Sequence, residues 1–382
     1  MNNIIYEYQT LDKEHHKNLI THIQSTPSLR QYFKEDWGDV KAKQYCGIIN
    51  YNGKDFYILP KIANNDDKDT NLNIFTYMLM YSNNINVKNE NIANSLNHTS
   101  NNILEIFIQM FAKNLFKELQ KGIYKEYITE QDNLTVLRGK YLINENLKHN
   151  FTKSKIYCEF DEFSEDNKLN QFFLYAIKTL MNFTKNKKIL KMCELVFDDV
   201  EFNKFDINKL DIHFNRLNTR FRDSFEFALL LLKKSIPMFD DGKKSFAFLF
   251  DMNELFEKFI GKIYESIDSS TILQNERNFG NLKLIPDVVC EDMIIDIKYK
   301  LVEDKKKLSR DDKYQMFVYG TNFGIKDTML LYPEHNNKKV IEDLKLGKDD
   351  KIVELKMRSI DLDFDGGYDK YICEIKNRME RI

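Results

Sequence analysis

The sequence predicts an α+β protein. A β-rich N-terminal domain over residues 1–150 precedes an α/β domain with a mixed central sheet and a helical insert over 151–382. Two observations carry this reading. Short apolar runs around turn signals dominate the first part, whereas from Phe151 long helical periodicities take over and end in the order helix, strand, strand, helix, strand. The length, 382 residues, is also enough for two hydrophobic cores.

Taken in order, Cys46–Ile62 gives two β-rich runs around Asn52-Gly53, a strong hairpin signal. A helix is expected near Asn73–Tyr81. Residues 83–102 hold nine asparagines without helical periodicity and read as an exposed loop. Leu104, Phe107, Ile108, Phe111, Leu115 and Leu119 recur at helical spacing, so Ile103–Gln120 is an amphipathic helix. A strand is expected at Leu134–Tyr141 and helices at Lys168–Asn182, Phe221–Lys233 and Asp251–Ser266. A hairpin over Leu282–Lys300, a helix over Ser309–Gly320 and a strand at Thr328–Tyr332 complete the reading. No Pro/Gly linker marks the boundary near 150.

Composition narrows the function. Lys and Arg number 57 against 59 Asp and Glu, a net charge of −2, which argues against coating nucleic acid by bulk positive charge but leaves room for a local basic groove. The five cysteines form no CxxC pair, so a zinc ribbon is not expected; their odd count and wide spacing point to reduced thiols and a cytoplasmic setting. No signal-peptide pattern or membrane span is read, and neither HExxH nor GxSxG occurs.

The chemistry concentrates in LKLIPDVVCEDMIIDIKYK, Leu282–Lys300. If Cys290–Met293 is a four-residue loop, Val289 faces Ile294 and Asp287 faces Asp296, and Asp296 and Lys298 share a face with Asp287. A three-residue loop would break that alignment. Two carboxylates and an ammonium on an otherwise apolar hairpin call for compensation. A hard divalent cation supplies it: Mg²⁺, with Mn²⁺ as the alternative. In that case the lysine helps to position and deprotonate water while the cation stabilises phosphate charge. This is the PD-x8-DxK form of the PD-(D/E)xK nuclease motif; the bland alternative is an edge hairpin with solvated Asp and Lys. Two neighbours strengthen the motif. Gln315 and Tyr319 lie at i, i+4 on a helix that Ser309 can cap, as in RecB-like and lambda-exonuclease-like nucleases. Glu254 and Glu257 lie on the preceding helix, and Glu257 is the preferred third metal ligand, with Glu254 at the surface. Lys298–Lys313 carries seven basic against four acidic residues, and Tyr299 and Lys300 are candidates for DNA-backbone contact.

With these residues in place the chain resembles the McrC family, the nuclease subunit of McrBC-type restriction systems. FLFDMNELFEKFI, LIPDVV, IIDIKYK, YQMFVYG and LLYP occur in the family's order from Phe248 to Pro333. Weaker blocks upstream are YILPKI, FTYMLMYS, GIYKEY, VLRGK and FDEFSEDNKLN. The resemblance covers nearly the whole chain and implies a PD-(D/E)xK endonuclease with Mg²⁺, acting on double-stranded DNA in phage defence. It also implies a partner, an McrB-like AAA+ GTPase hexamer that recognises modified DNA and into which the N-terminal domain docks. The chain has no GxxxxGK[ST] phosphate loop, in keeping with that division of labour. Arg138 in VLRGK is either a partner contact or a structural turn residue with a solvated side chain. Two other readings stand beside the nuclease subunit: a regulatory adaptor that activates the ring, and an autonomous RecB-like nuclease.

Overall fold

Tyr45–Tyr51 and Lys54–Leu59 form the expected first hairpin, with Tyr51 opposite Lys54 and Asn52 in the left-handed region at φ 51°. The computed structural model describes residues 3–52, 54–62, 67–84, 103–151, 154–240, 243–300, 309–335, 339–348 and 351–382. Gly53, the Asn-rich 85–102 and the basic stretch 301–308 lie outside these residues.

The chain folds as two units, Met1–Ile103 with Lys234–Ile382, and Leu104–Lys233. The boundary expected near 150 falls inside the second of these, at the end of the helix Ile143–His149. The physical reason is one strand. Lys243–Asp251 pairs antiparallel with Tyr45–Tyr51, setting Phe248 opposite Ile48 and Phe250 opposite Cys46. All four side chains are buried, and each fully buried large apolar side chain contributes about 1.5–3 kcal/mol. The resulting five-stranded sheet runs Ile4–Tyr6, Lys54–Leu59, Tyr45–Tyr51, Lys243–Asp251, Ser235–Asp240. Gly47 permits the close approach: at φ 145°, an added Cβ would lie 2.0 Å from the Phe248 carbonyl oxygen.

The same unit carries a six-stranded mixed sheet in the order Ile272–Leu273, Val288–Val289, Met293–Ile297, Asp327–Pro333, Val353–Ile360, Ile341–Leu346. The three central strands, from Met293 to Ile360, run parallel, and the flanking pairings are antiparallel. Val289 pairs with Ile294, the register that a four-residue loop requires. The upstream half of the expected hairpin diverges, because Leu282–Leu284 pairs with Arg277–Phe279 in a separate ribbon. Helix Arg310–Phe323 covers the sheet: Met316 and Tyr319 pack with Ile294, Leu330, Leu355 and Met357 in one core. Helix Met252–Ile267, capped by Asp251 through the Asn253 N–H, packs on Lys68–Ser82 and Tyr368–Met379. Tyr81, Phe259 and Tyr371 join these three helices by ring contacts.

In the second unit, Lys168–Leu180 and Lys188–Val196 pack together, and Phe107 meets Phe227 across the expected helices Ile103–Leu119 and Arg222–Lys234. A three-stranded sheet orders Glu126–Leu134, Ile156–Ser164, Lys140–Tyr141. The single strand expected at Leu134–Tyr141 is thus the ends of two strands with a turn between. Gly139, at φ 66°, lets that turn pass so near Glu159 that a Cβ would sit 2.3 Å from its carbonyl oxygen. Among the described residues, no helix is long and apolar enough to cross a membrane.

The strand pairing that closes the first unit is open to test. Gly47→Ala should lower stability by about 1–3 kcal/mol in urea unfolding of the full chain, as overpacking does. A loss below about 0.5 kcal/mol would contradict the close approach of Tyr45–Tyr51 to Lys243–Asp251.

Candidate active site

Asp296 lies in the strand Met293–Ile297, buried on both faces, where alternation sets it on the same face as Ile294 and Lys298 and opposite to Ile295 and Ile297. Its side chain is 1% exposed and lies 2.5 Å from Lys298 Nζ. Burial, followed by the charge of Asp287, pushes its carboxyl up to about 7, against the pull of Lys298. The lysine is 23% exposed and reaches from the carboxylate toward the surface. Burial works to lower its pKa, but Asp296 and Asp287 outweigh that and hold it above the usual lysine range.

Asp287 follows Pro286 into the short strand Val288–Val289, next to Asp296 in register. Its Oδ2 accepts the Ile297 N–H at 2.7 Å, so the loop carboxylate is tied to the strand bearing Asp296. Burial raises it to about 6, with the Ile297 N–H opposing and Glu257 adding. Glu257, half-buried on Met252–Ile267, is raised by burial and by Asp296. Glu254, one turn earlier, is instead 69% exposed and pairs with Lys234 at 3.4 Å. The structure therefore brings Glu257, Asp287, Asp296 and Lys298 together and leaves Glu254 outside.

The QxxxY pair serves this cluster by holding its frame. Gln315 Nε2 donates to Tyr319 Oη at 2.9 Å, and the tyrosine hydroxyl donates to the Ile285 carbonyl at 3.0 Å, two residues before Asp287. Ser309 caps the helix through the Asp311 N–H, as expected. Tyr299 corrects an expectation. It is 3% exposed, its hydroxyl donates to the fully buried Glu7 at 2.5 Å, and it cannot reach DNA. The alternation that sets Lys298 on the side of Asp296 turns Tyr299 into the core, where it ties the DIK strand to Ile4–Tyr6 and its following residue. Lys300 is exposed and pairs with Asp312 at 2.9 Å, at the start of Arg310–Phe323. Arg138, in the second unit, pairs with Glu162 at 3.1 Å and lies over the Phe160 ring at 4.2 Å.

Two participants carried no sequence signal. Gln274, at φ 48°, donates its backbone N–H to the Asp287 carbonyl at 3.0 Å. Its side-chain amide donates to Glu257 and stands 3.4 Å from Asp287 Oδ1. Glu7 also accepts the Lys61 N–H at 2.9 Å, and burial raises it to about 7. No motif marks either residue, since each is read by what the fold brings to it.

Three carboxylates and one ammonium leave a formal surplus of two negative charges. That surplus, and a donor set of oxygens, suit a hard divalent cation. The spacing is not that of a formed coordination shell: among the described residues no three His, Cys, Asp or Glu side chains are gathered closely enough to hold a metal. Gln274 spans Glu257 and Asp287 through its side-chain amide. The oxygen donors of the three carboxylates suit such a cation by their chemistry.

The fold and this cluster define a mixed α/β protein with a buried acid–lysine centre. The chain belongs to the family described as McrBC 5-methylcytosine restriction system component, whose model matches residues 40–333. Among solved structures it is similar to a chain of the refined half-complex from the tetradecameric assembly of Thermococcus gammatolerans McrB AAA+ hexamers with bound McrC. That match has 22% identity, covers 99% of each chain and has a TM-score of 0.66. A chain of the Thermococcus gammatolerans McrBC complex matches at 24% identity over 68% of this chain and 86% of that one, with a TM-score of 0.48. Among curated proteins there is no match.

The raised carboxyls set a pH dependence. An unfolded Asp titrates near about 3.9, so from about pH 4 to 7 the folded chain binds more protons than the unfolded one. Stability without divalent cations should then fall as pH rises through that window, with Glu7 adding to the slope. Thermal midpoints measured in chelator should show Asp296→Asn with a shallower decline than the native chain. An unchanged slope would contradict the buried-carboxylate assignment.

Proposed function

We propose that the chain is the Mg²⁺-dependent DNA endonuclease subunit of an McrBC-type restriction system, hydrolysing phosphodiester bonds under the control of an McrB-like AAA+ GTPase ring. The observation that carries this is the convergence of Asp287, Asp296, Lys298 and Glu257 in a member of the McrBC family. Glu257, Asp287 and Asp296 would hold the cation, Mg²⁺ or Mn²⁺, which supplies Lewis-acid stabilisation of charge on the phosphate. Lys298 enters as an ammonium, held protonated by Asp296, and can orient water and stabilise phosphate oxygens. Tyr319 and Gln315 act as positioning residues through Ile285 and so set the direction of Asp287. Lys300 remains an exposed candidate for phosphate contact beside them.

The partner reading rests on the family and on surface chemistry. The sequence holds no phosphate loop of its own. In the second unit, the turn that carries Arg138 exposes Val136 at 71% and Leu137 at 57%, and the adjoining helix exposes Leu147 at 70%. Exposed apolar side chains beside an arginine suit a protein interface.

Asp296→Ala should reduce DNA cleavage by the assembled system about a thousandfold or more while leaving GTPase stimulation intact. Retained cleavage would overturn the assignment, and cleavage by the isolated chain would point to an autonomous nuclease. Glu257→Gln should raise the Mg²⁺ requirement about 10–100-fold, as loss of a metal-site group does, whereas Glu254→Gln should shift it less than about twofold. Equal effects of the two would contradict the placement of Glu257.

A further inference from the structure

Gln274 stands where the edge strand Ile272–Leu273 ends. That strand pairs antiparallel with Val288–Val289, and the Gln274 N–H adds one more rung by donating to the Asp287 carbonyl at 3.0 Å. There the backbone bends away with Gln274 in the left-handed region, at φ 48°. Gly or Asn ordinarily takes such a position, because a Cβ crowds the following carbonyl. A long side chain is therefore a poor choice for the bend alone. What it adds is reach: the side-chain amide donates to Glu257 and stands 3.4 Å from Asp287 Oδ1. The mount on either side is fixed. Gly261 follows Glu257 by four residues and so shares its helix face, and a Cβ added at Gly261 would lie 3.3 Å from Leu273 Cδ2. Asp287 is tied separately, through Oδ2, to the Ile297 N–H at 2.7 Å.

Two carboxylates brought to one place repel each other. Burial and the charge of Glu257 both raise the Asp287 carboxyl. A half-buried glutamate on a helix can swing its charge out to water, and a neutral amide with two N–H donors opposes that by engaging both groups. We propose that Gln274 is a positioning residue for the cation site, gathering Glu257 and Asp287 before the cation arrives and so raising its affinity. The inference rests on the reading of Glu257, Asp287 and Asp296 as cation ligands, and it deepens that reading by naming what holds two of them in place. Outer partners of metal ligands act in this way, because the cost of assembling the ligands no longer falls on binding. Gln274 is itself exposed, so replacing it leaves no cavity and the variants should fold.

Free Mn²⁺ gives a paramagnetic resonance that is lost on binding, so titrating the full chain yields dissociation constants without cleavage or a partner. Gln274→Met keeps the length and the Cβ but has no donor, and it should bind Mn²⁺ about 10-fold more weakly than the native chain, with the same circular dichroism spectrum. Gln274→Gly suits the left-handed bend but also lacks the donor, and it should bind as weakly. Glu257→Gln combined with Gln274→Met should lose less than the product of the two single losses, because Gln274 acts through Glu257. Native affinity in either Gln274 variant, or losses that multiply, would overturn the inference and leave the cation site standing. Tighter binding by Gln274→Met would overturn it by showing that the amide competes with the cation. Failure of the native chain to bind Mn²⁺ would overturn this inference and the cation reading together.

Discussion

The burial of Asp296 beside Lys298 is the constraint on which the rest of the site depends. A carboxylate at 1% exposure in the centre of a mixed sheet is unfavourable as an isolated charge. The ammonium at 2.5 Å offsets much of that, but Asp287 and Glu257 bring further negative charge to the same place. An ion pair of this kind adds little to stability over an apolar core, and removing one partner would leave the other uncompensated. The cluster is therefore better understood as a feature the fold sustains than as one that holds the fold together.

Sustaining it requires a stiff backbone on every side. The Ile297 N–H fixes Asp287, the Tyr319 hydroxyl fixes Ile285, and Glu7 fixes Tyr299 directly after Lys298. These bonds draw on strands and helices far apart in sequence: Ile4–Tyr6 is an edge strand of the five-stranded sheet that also holds Lys243–Asp251, the strand leading into the helix of Glu257. The N-terminal segment thus belongs to the same unit as the acid–lysine centre. Gln274, strained at φ 48°, holds Glu257 and Asp287 together from a fourth direction.

What was legible in the sequence follows the range of the interactions. The Ser309 cap and the Gln315–Tyr319 pair are local and readable from spacing, whereas the Val289–Ile294 register is one of two that the loop allows. Helical phase also separates the half-buried Glu257 from the exposed Glu254 one turn earlier. Long-range pairing was not readable. Nothing in KKSFAFLFD says that its partner is Tyr45–Tyr51, so the boundary that the sequence suggests near 150 lies inside the second unit. Tyr299, directly after the DIK residues, reads as a DNA contact by its position in the motif, whereas strand alternation sends it inward. Gln274 and Glu7 are defined by contacts across the fold and leave no local trace.

We propose that Asp296 and its neighbours hold a divalent cation. Calorimetric titration of Mn²⁺ into the full chain, native and Asp296→Asn, tests it without relying on cleavage or on any partner. Binding by the native chain should be lost in the variant, with both chains folded to the same extent by circular dichroism. Equal binding by the two, or none by the native chain at pH values where the carboxylates are ionised, would contradict it.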